Sequence, residues 1–133
     1  MTPRRVVHGA SVGSPAMLYL QEFGSQVWSA FGELPYLVGS AIYSKRWRDV
    51  DVRLILDDKD FEPYGDPHRP NGKWAAMCMA FSLLGQRMTG LPIDFQIQQR
   101  TDANKRFKNP RNALGIIELR EGCKRCLARR RKS

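Results

Sequence analysis

The chain has 133 residues, of which 42% are hydrophobic and 26% charged, and a formal net charge of +9. This length fits one domain with a core, and the composition is globular. No apolar run approaches the roughly 18 to 20 residues of a membrane span, and the N-terminus lacks a signal-peptide pattern. Three cysteines without such a signal favour a reducing cytoplasm over a disulfide scaffold.

The first predicted helix begins at Ser14-Pro15, where a hydroxyl cap precedes proline at the first helical position. Apolar residues then recur at helical spacing: Met17, Leu18, Leu20, Phe23, Val27, Trp28 and Phe31. Residues 1–13 are expected to be a flexible lead. After the helix we expect a short buried strand over residues 36–38, a turn at Gly39-Ser40, and a short helix or loop over residues 41–47.

A second strand is predicted over residues 49–56, because apolar and polar residues alternate there. Apolar residues occupy the even positions from Val50 to Leu56, and Asp49, Asp51 and Arg53 lie between them. Residues 57–71 are rich in Asp, Pro and Gly and are predicted to form a loop.

The rest of the chain is predicted to contain a helix over residues 72–88, a strand over residues 93–98, a loop over residues 99–115 and a basic helix over residues 118–131. Asn71 is the expected cap of the first of these helices. Its apolar stripe is Trp74, Met77, Cys78, Phe81, Leu84 and Met88. The strand would point Ile93, Phe95 and Ile97 inward and place Asp94 on a polar face.

Asp49 and Asp51 project from one face of their strand, with β-carbons within about 7 Å of each other. A divalent cation would relieve their repulsion, and Mg²⁺ prefers carboxylate oxygens. If the strand of Asp94 is a neighbour, three aspartates converge, which is enough for two Mg²⁺ or Mn²⁺ ions and in-line phosphoryl or nucleotidyl transfer. For Asp49 and Asp51 alone, a solvated strand face is an equally good interpretation.

Gly39-Ser40 lies ten residues before Asp49 and supplies a second feature of such a site. Glycine after a strand lets the backbone turn tightly beside a ligand, and a helix starting there would direct N–H groups at an anion. Phosphates at Gly39-Ser40 and metal at the aspartates would meet on one triphosphate. Arg53 could pair with a phosphate or form an ordinary salt bridge with an aspartate.

The segments "LVGS", "DVDV" and "IDF" resemble the DNA polymerase β-like nucleotidyltransferase superfamily, especially its small single-domain forms, including those of phages and prophages. The resemblance covers residues 36–98 and the preceding helix. It implies an α+β fold with a small mixed β-sheet flanked by helices, and a minimal nucleotidyltransferase domain over residues 14–115. It also implies that Gly39 and Ser40 bind the β- and γ-phosphates, that Asp49 and Asp51 ligate both metals, and that Asp94 ligates the catalytic metal. Lys45 could supply positive charge to the nucleotide.

All of the net charge lies in residues 100–133, where twelve basic residues face three acidic ones, a difference of nine. Residues 116–133 are expected to form a basic C-terminal helix or tail. Such a segment attracts polyanions, although a solubilising tail is an equally good interpretation. Cys123 and Cys126 have zinc-like spacing but lack two further obvious ligands.

The function expected from these features is metal-dependent transfer of a nucleoside monophosphate from a nucleoside triphosphate to an acceptor hydroxyl. The acceptor would be RNA, DNA or a protein reached through the basic C-terminal segment. The alternative is a catalytically inactive fold of the same type that binds nucleic acid or a protein partner.

Overall fold

The computed structural model describes residues 14–39 and 49–115. Helix α1 (Ser14–Phe31) is followed by strands β1 (Tyr36–Val38) and β2 (Val50–Leu56). The chain continues through α2 (Asp58–Phe61), a 3-10 turn (Glu62–Tyr64) and the short strands β3 (Gly65–Asp66) and β4 (Arg69–Pro70). Helix α3 (Gly72–Thr89), strand β5 (Ile93–Gln99), helix α4 (Arg100–Arg106) and strand β6 (Asn112–Ala113) complete the described fold.

The main sheet has the order β5-β2-β1-β6 and is mixed. Strand β1 runs antiparallel to β2 and β6, whereas β2 and β5 are parallel. The two long strands predicted from alternation are therefore direct neighbours. The expected α+β architecture, a small mixed sheet flanked by helices, is confirmed.

One face of the sheet forms the core, because alternate side chains of each strand point the same way. Val50, Val52 and Leu54 of β2 are fully buried with the predicted inward residues of β5. They pack against α1, and the Phe23 ring meets the Phe95 ring edge-on at a centroid distance of 6.1 Å. The opposite face carries the polar residues of both strands.

Helix α3 begins and ends where the sequence predicts. The Asn71 side chain accepts a hydrogen bond of 3.1 Å from the Trp74 N–H, which satisfies one of the free amides at the helix start. Gly90 ends the helix in the left-handed conformation, with φ of 70°. Both ends of α3 are thus fixed by local chemistry.

Helix α3 also covers the free edge of β5. Four of its side chains, spaced four residues apart, bond to the β5 backbone: Trp74, Cys78, Ser82 and Gln86. Ser82 Oγ accepts from the Phe95 N–H at 2.9 Å and donates to the Phe95 carbonyl at 3.4 Å. Because an edge strand otherwise exposes unpaired backbone groups, these side chains take the role of a further strand.

Two predicted loops contain regular structure. Residues 57–71 form α2, the 3-10 turn and the β3–β4 hairpin, and residues 99–115 contain α4 and β6. These elements are two to seven residues long, which is too short for a helical or strand period of hydrophobic residues to be recognised in the sequence. Helix α4 buries only Ala103, and its first turn is held from outside, where the Thr101 N–H donates to Asp58 Oδ1 at 3.0 Å.

Two residues of the predicted apolar stripes lie outside the core. Leu18 on α1 is 63% exposed and Leu84 on α3 is 39% exposed. Trp28, predicted in the same stripe as Leu18, is half-buried. The buried stripe of each helix is therefore narrower than the apolar residues in its sequence predict.

Several expectations concern residues outside the described ranges: the lead over residues 1–13, the segment over residues 41–47, the basic helix over residues 118–131, and the Cys123/Cys126 pair. Among the helices of the described residues, none combines the length and apolar character needed to cross a bilayer.

Candidate functional site

The candidate site lies on the polar face of the sheet, where β2 and β5 run side by side. Their parallel register places Asp51 directly beside Asp94. Two residues further along, Arg53 lies beside Gln96. Residues in register on adjacent strands share a face, so the two carboxylates project from the same side of the sheet. The convergence predicted for Asp51 and Asp94 therefore has its structural basis in this register.

Arg53 links the two carboxylates. Its Nη2 lies 3.7 Å from Asp51 Oδ1 and 3.4 Å from Asp94 Oδ2. Its Nη1 donates to the Asp94 carbonyl at 2.6 Å and to the Val52 carbonyl at 3.2 Å. The Arg53 side chain is only 14% exposed, so the guanidinium is held in place by four oxygen atoms. Of the two interpretations open from the sequence, the structure shows the salt bridge.

The environment of Asp51 makes this carboxyl group difficult to ionise. Burial raises the pKa of Asp51, and the charges of Asp94 and Asp49 raise it further, whereas Arg53 lowers it. Burial has the largest effect, because it removes solvent from the ionised carboxylate. A carboxylate that is difficult to ionise beside other acids is typical of sites that receive a cation.

Gly39 lies against Asp51, with φ of 75°. A β-carbon at this position would lie 2.5 Å from Asp51 Oδ2, closer than β-carbons approach other atoms in proteins. The neighbouring residue Val38 is the β1 partner of Asp51 in the antiparallel register. The glycine therefore has an identifiable role, which is to make room for the carboxylate. Ser40 and Lys45, the other predicted nucleotide-binding residues of this segment, are outside the described ranges.

A cavity of about 170 Å³ opens beside these groups. Gly39, Asp51 and Arg53 line one part of it, and Val38, Ile55, Gln98, Phe107, Asn109 and Arg111 line the remainder. None of the latter residues is among the site residues predicted from the sequence. Gln98 carried a usable signal, because it follows Asp94 by four positions on the polar face of the same strand.

Arg111 is held by the end of α4. Its guanidinium donates to Asn104 Oδ1 at 3.1 Å, and to the carbonyls of Phe107 at 3.2 Å and Ala103 at 3.4 Å. The Ala103 carbonyl also accepts from the Phe107 N–H at 2.9 Å, so Arg111 adds a second hydrogen bond at the end of the helix. Arg111 thereby fixes the loop over residues 107–111, which forms one wall of the cavity.

The donor chemistry of Asp51 and Asp94 fits a hard divalent cation, because both supply carboxylate oxygens from one face. Asp49 is exposed and immediately precedes β2. Within residues 14–39 and 49–115, no three His, Cys, Asp or Glu side chains are grouped closely enough to hold a metal ion. Of the three aspartates predicted to bind metal, Asp51 and Asp94 therefore form the pair closest to a metal site. Asp49 lies beside this pair, and Arg53 is the cation now paired with it.

No protein-family model, curated protein or solved structure matches this chain. Inference of its function therefore depends on the residues and geometry described above.

Proposed function

We propose that the chain is a metal-dependent nucleotidyltransferase with a minimal polymerase β-like fold. It would transfer a nucleoside monophosphate from a nucleoside triphosphate to an acceptor hydroxyl. The observation that carries the proposal is the register of Asp51 beside Asp94, on the sheet face bordered by Gly39. These residues belong to the three segments on which the family resemblance rests.

Each residue of the site has a role in this proposal. Asp51 and Asp94 would hold Mg²⁺ or Mn²⁺, Asp49 would join them when a cation is bound, and Gly39 and Ser40 would bind the β- and γ-phosphates. The bound metal ions supply charge neutralisation at the triphosphate. The acceptor oxygen forms a bond to the α-phosphorus, the bond from that phosphorus to the bridging oxygen breaks, and pyrophosphate leaves. Asp94 would accept the proton that the acceptor hydroxyl loses.

The proposal is tested by titrating each nucleoside triphosphate with and without Mg²⁺, followed by transfer assays on RNA, DNA and protein acceptors. Asp51→Asn and Asp94→Asn should each abolish Mg²⁺-dependent binding, because the amide keeps the shape and removes the charge. Asp60→Asn is the matched control, since Asp60 is an exposed acid on α2 outside the sheet face. Unchanged Mg²⁺-dependent affinity in both site variants would refute the enzymatic proposal.

The second candidate is a catalytically inactive module of the same fold that binds nucleic acid or a protein partner. The ion pairs of Arg53 favour it, because an internal cation already offsets part of the negative charge of Asp51 and Asp94. In that case Mg²⁺ would change neither nucleotide nor nucleic-acid binding. Arg53→Met would then lower the stability of the fold without raising its affinity for Mn²⁺.

A further inference from the structure

The cavity beside Asp51 extends away from the carboxylates along the sheet. It runs from Asp51 to Ile55 on β2, four residues apart, which corresponds to about 13 Å along a strand. Ile55 lies in register with Gln98 on β5. One end of the cavity is therefore charged, and the other end has an apolar residue and an amide side by side.

The far end of the cavity is suited to a flat ring. Ile55, almost fully buried, is an apolar lining residue here, and the Phe107 ring, 43% exposed, is part of the wall. The Arg106 guanidinium lies 5.2 Å from the Phe107 ring centroid, a cation–π distance that steadies the ring. Exposed aromatic rings of this kind are the surfaces on which nucleobases stack.

Two amide side chains at this cavity have no hydrogen-bond partner among the described residues. Within the described residues, the side chains of Gln98 and Asn109 form no hydrogen bond, although both line the cavity. Each amide offers a carbonyl acceptor and an NH₂ donor, which is the combination that pairs with the edge of a nucleobase. Arg111 differs from them, because its donors are occupied by Asn104 and two backbone carbonyls.

The size of the cavity limits what it can hold. Its 170 Å³ lies below the roughly 300 to 1,000 Å³ of pockets that enclose a drug-sized ligand. It is therefore too small for a whole nucleotide but admits one ring system. The rest of such a ligand would lie toward Asp51 and Gly39.

We infer that the far end of this cavity is the nucleobase subsite of the nucleotide site, with Phe107 as the stacking surface and Gln98 and Asn109 as readers of the base edge. The inference rests on the proposed function, because the phosphates must lie at the charged end. None of these three residues belongs to the segments that carry the family resemblance.

The test compares three probes by isothermal titration and NMR: Mg²⁺-tripolyphosphate, Mg²⁺-nucleoside triphosphate, and a nucleoside without metal. In the native chain the nucleoside triphosphate should bind about tenfold or more tightly than tripolyphosphate, because stacking adds to its affinity. Phe107→Ala and Gln98→Ala should remove most of this difference and leave tripolyphosphate affinity unchanged. Leu83→Ala and Gln26→Ala, at exposed positions on α3 and α1, are the matched controls.

The outcomes separate this inference from the proposed function. Equal affinity for the triphosphate and for tripolyphosphate, or triphosphate binding unaffected by both variants, overturns the subsite while the metal site stands. No Mg²⁺-dependent binding of tripolyphosphate overturns the proposed function, and the nucleoside titration then decides the subsite alone. Nucleoside binding that Phe107→Ala abolishes supports the subsite, and no nucleoside binding overturns it. Asn109→Ala, in an exposed loop, replaces either variant if that variant fails to fold.

Discussion

Gly39 and Asp51 depend on each other at the level of single atoms. The missing β-carbon of Gly39 leaves space for the carboxylate, and the backbone of Gly39 has a positive φ that L-residues with side chains rarely adopt. A side chain at this position would meet both a steric and a conformational obstacle. The glycine is therefore required for the site whether or not its N–H binds a phosphate.

Gly39→Ala should lower the free energy of unfolding by at least about 1 kcal/mol, because an L-residue is strained at this φ. It should also displace the Asp51 carboxylate and weaken Mg²⁺-dependent nucleotide binding. Urea denaturation and metal titration measure the two effects. Gly72→Ala is the control, since its added β-carbon meets nothing within 4 Å, and this change should be neutral or stabilising. Normal metal binding in Gly39→Ala would contradict the proposed contact.

Asp51 should reduce stability at neutral pH. Burial raises the pKa of Asp51 in the native state. As the pH rises above the ordinary value of 3.8, Asp51 therefore ionises more readily in the unfolded chain, and the free energy of unfolding decreases. Asp51→Asn should therefore raise the melting temperature at pH 7, and the gain should shrink as the pH falls toward 3.8. Thermal denaturation between pH 4 and pH 7 measures this trend.

Asp58 provides a comparison of opposite sign. Hydrogen bonds from Thr101 lower the pKa of Asp58, so its contribution to stability is present above pH 3.8 and is lost as the pH falls below that value. Asp58→Asn should lower the melting temperature at pH 7. If Asp51→Asn also lowered the melting temperature at pH 7, the environment assigned to Asp51 would be wrong.

At the scale of elements, α3 and β5 form a unit because the helix satisfies the backbone of the strand edge. Gln86 Nε2 and Trp74 Nε1 donate to the carbonyls of Ile93 and Ile97 at 3.2 and 2.7 Å. Between them, Ser82 serves both backbone groups of Phe95. The spacing of these side chains keeps them on one side of the helix.

Ser82→Ala should lower the free energy of unfolding by about 1 to 3 kcal/mol, because it leaves a buried N–H and its carbonyl without a partner. Ser82→Cys should fall between the serine and alanine proteins, since Cys78 Sγ already accepts from the Ile97 N–H at 3.5 Å. Chemical denaturation measures both. An unchanged unfolding free energy in Ser82→Ala would show that water replaces the hydroxyl.

Elements of seven or more residues with a clear period were predictable from the sequence: α1, β2, α3 and β5. Their ends followed from local signals such as the Asn71 cap. Helix α4 was missed although it has seven residues, because only Ala103 is buried and its start is stabilised by Asp58, 43 positions away in the chain. Tertiary contacts of this kind leave no periodic pattern in a single sequence.

The candidate site was predictable in part. The polar faces of β2 and β5 indicated Asp51, Arg53 and Asp94, but the register that puts Asp51 beside Asp94 depends on the strand pairing. The wall formed by Phe107 and Asn109 depends on the path of the loop after α4, which the sequence did not determine. The role of Arg53 as a link between the two carboxylates likewise became evident only from the structure.

At the scale of the whole molecule, the net positive charge and the candidate site occupy different parts of the chain. Residues 1–99 carry ten basic and ten acidic residues, and the entire net charge of +9 lies beyond them. Helix α4 and the cavity wall are the described part of this basic region. If the acceptor is a nucleic acid, this region should bind its backbone while the sheet face binds the nucleotide.

Replacing Arg129, Arg130, Arg131 and Lys132 by Ser should flatten the dependence of nucleic-acid affinity on salt. Each neutralised phosphate contributes about −0.9 to the slope of log K against log salt on a duplex, so a loss of roughly two to four units is expected. Nucleotide binding should be nearly unchanged. Replacing Lys59, Arg69, Lys73 and Arg87 by Ser removes the same charge elsewhere and should leave the slope intact. No salt-dependent binding by the native chain would exclude a nucleic-acid acceptor.

Hydrogen exchange at β5, whose outer edge is covered by α3, would distinguish two opening motions of the protein. The amides of Phe95 and Ile97 are bonded to helix side chains, whereas those of Asp94 and Gln96 point toward β2, since amides alternate in direction along a strand. Detachment of α3 alone would release the first pair to deuterium and leave the second pair protected. Opening of the sheet would release both, so one strand reports on the two events independently.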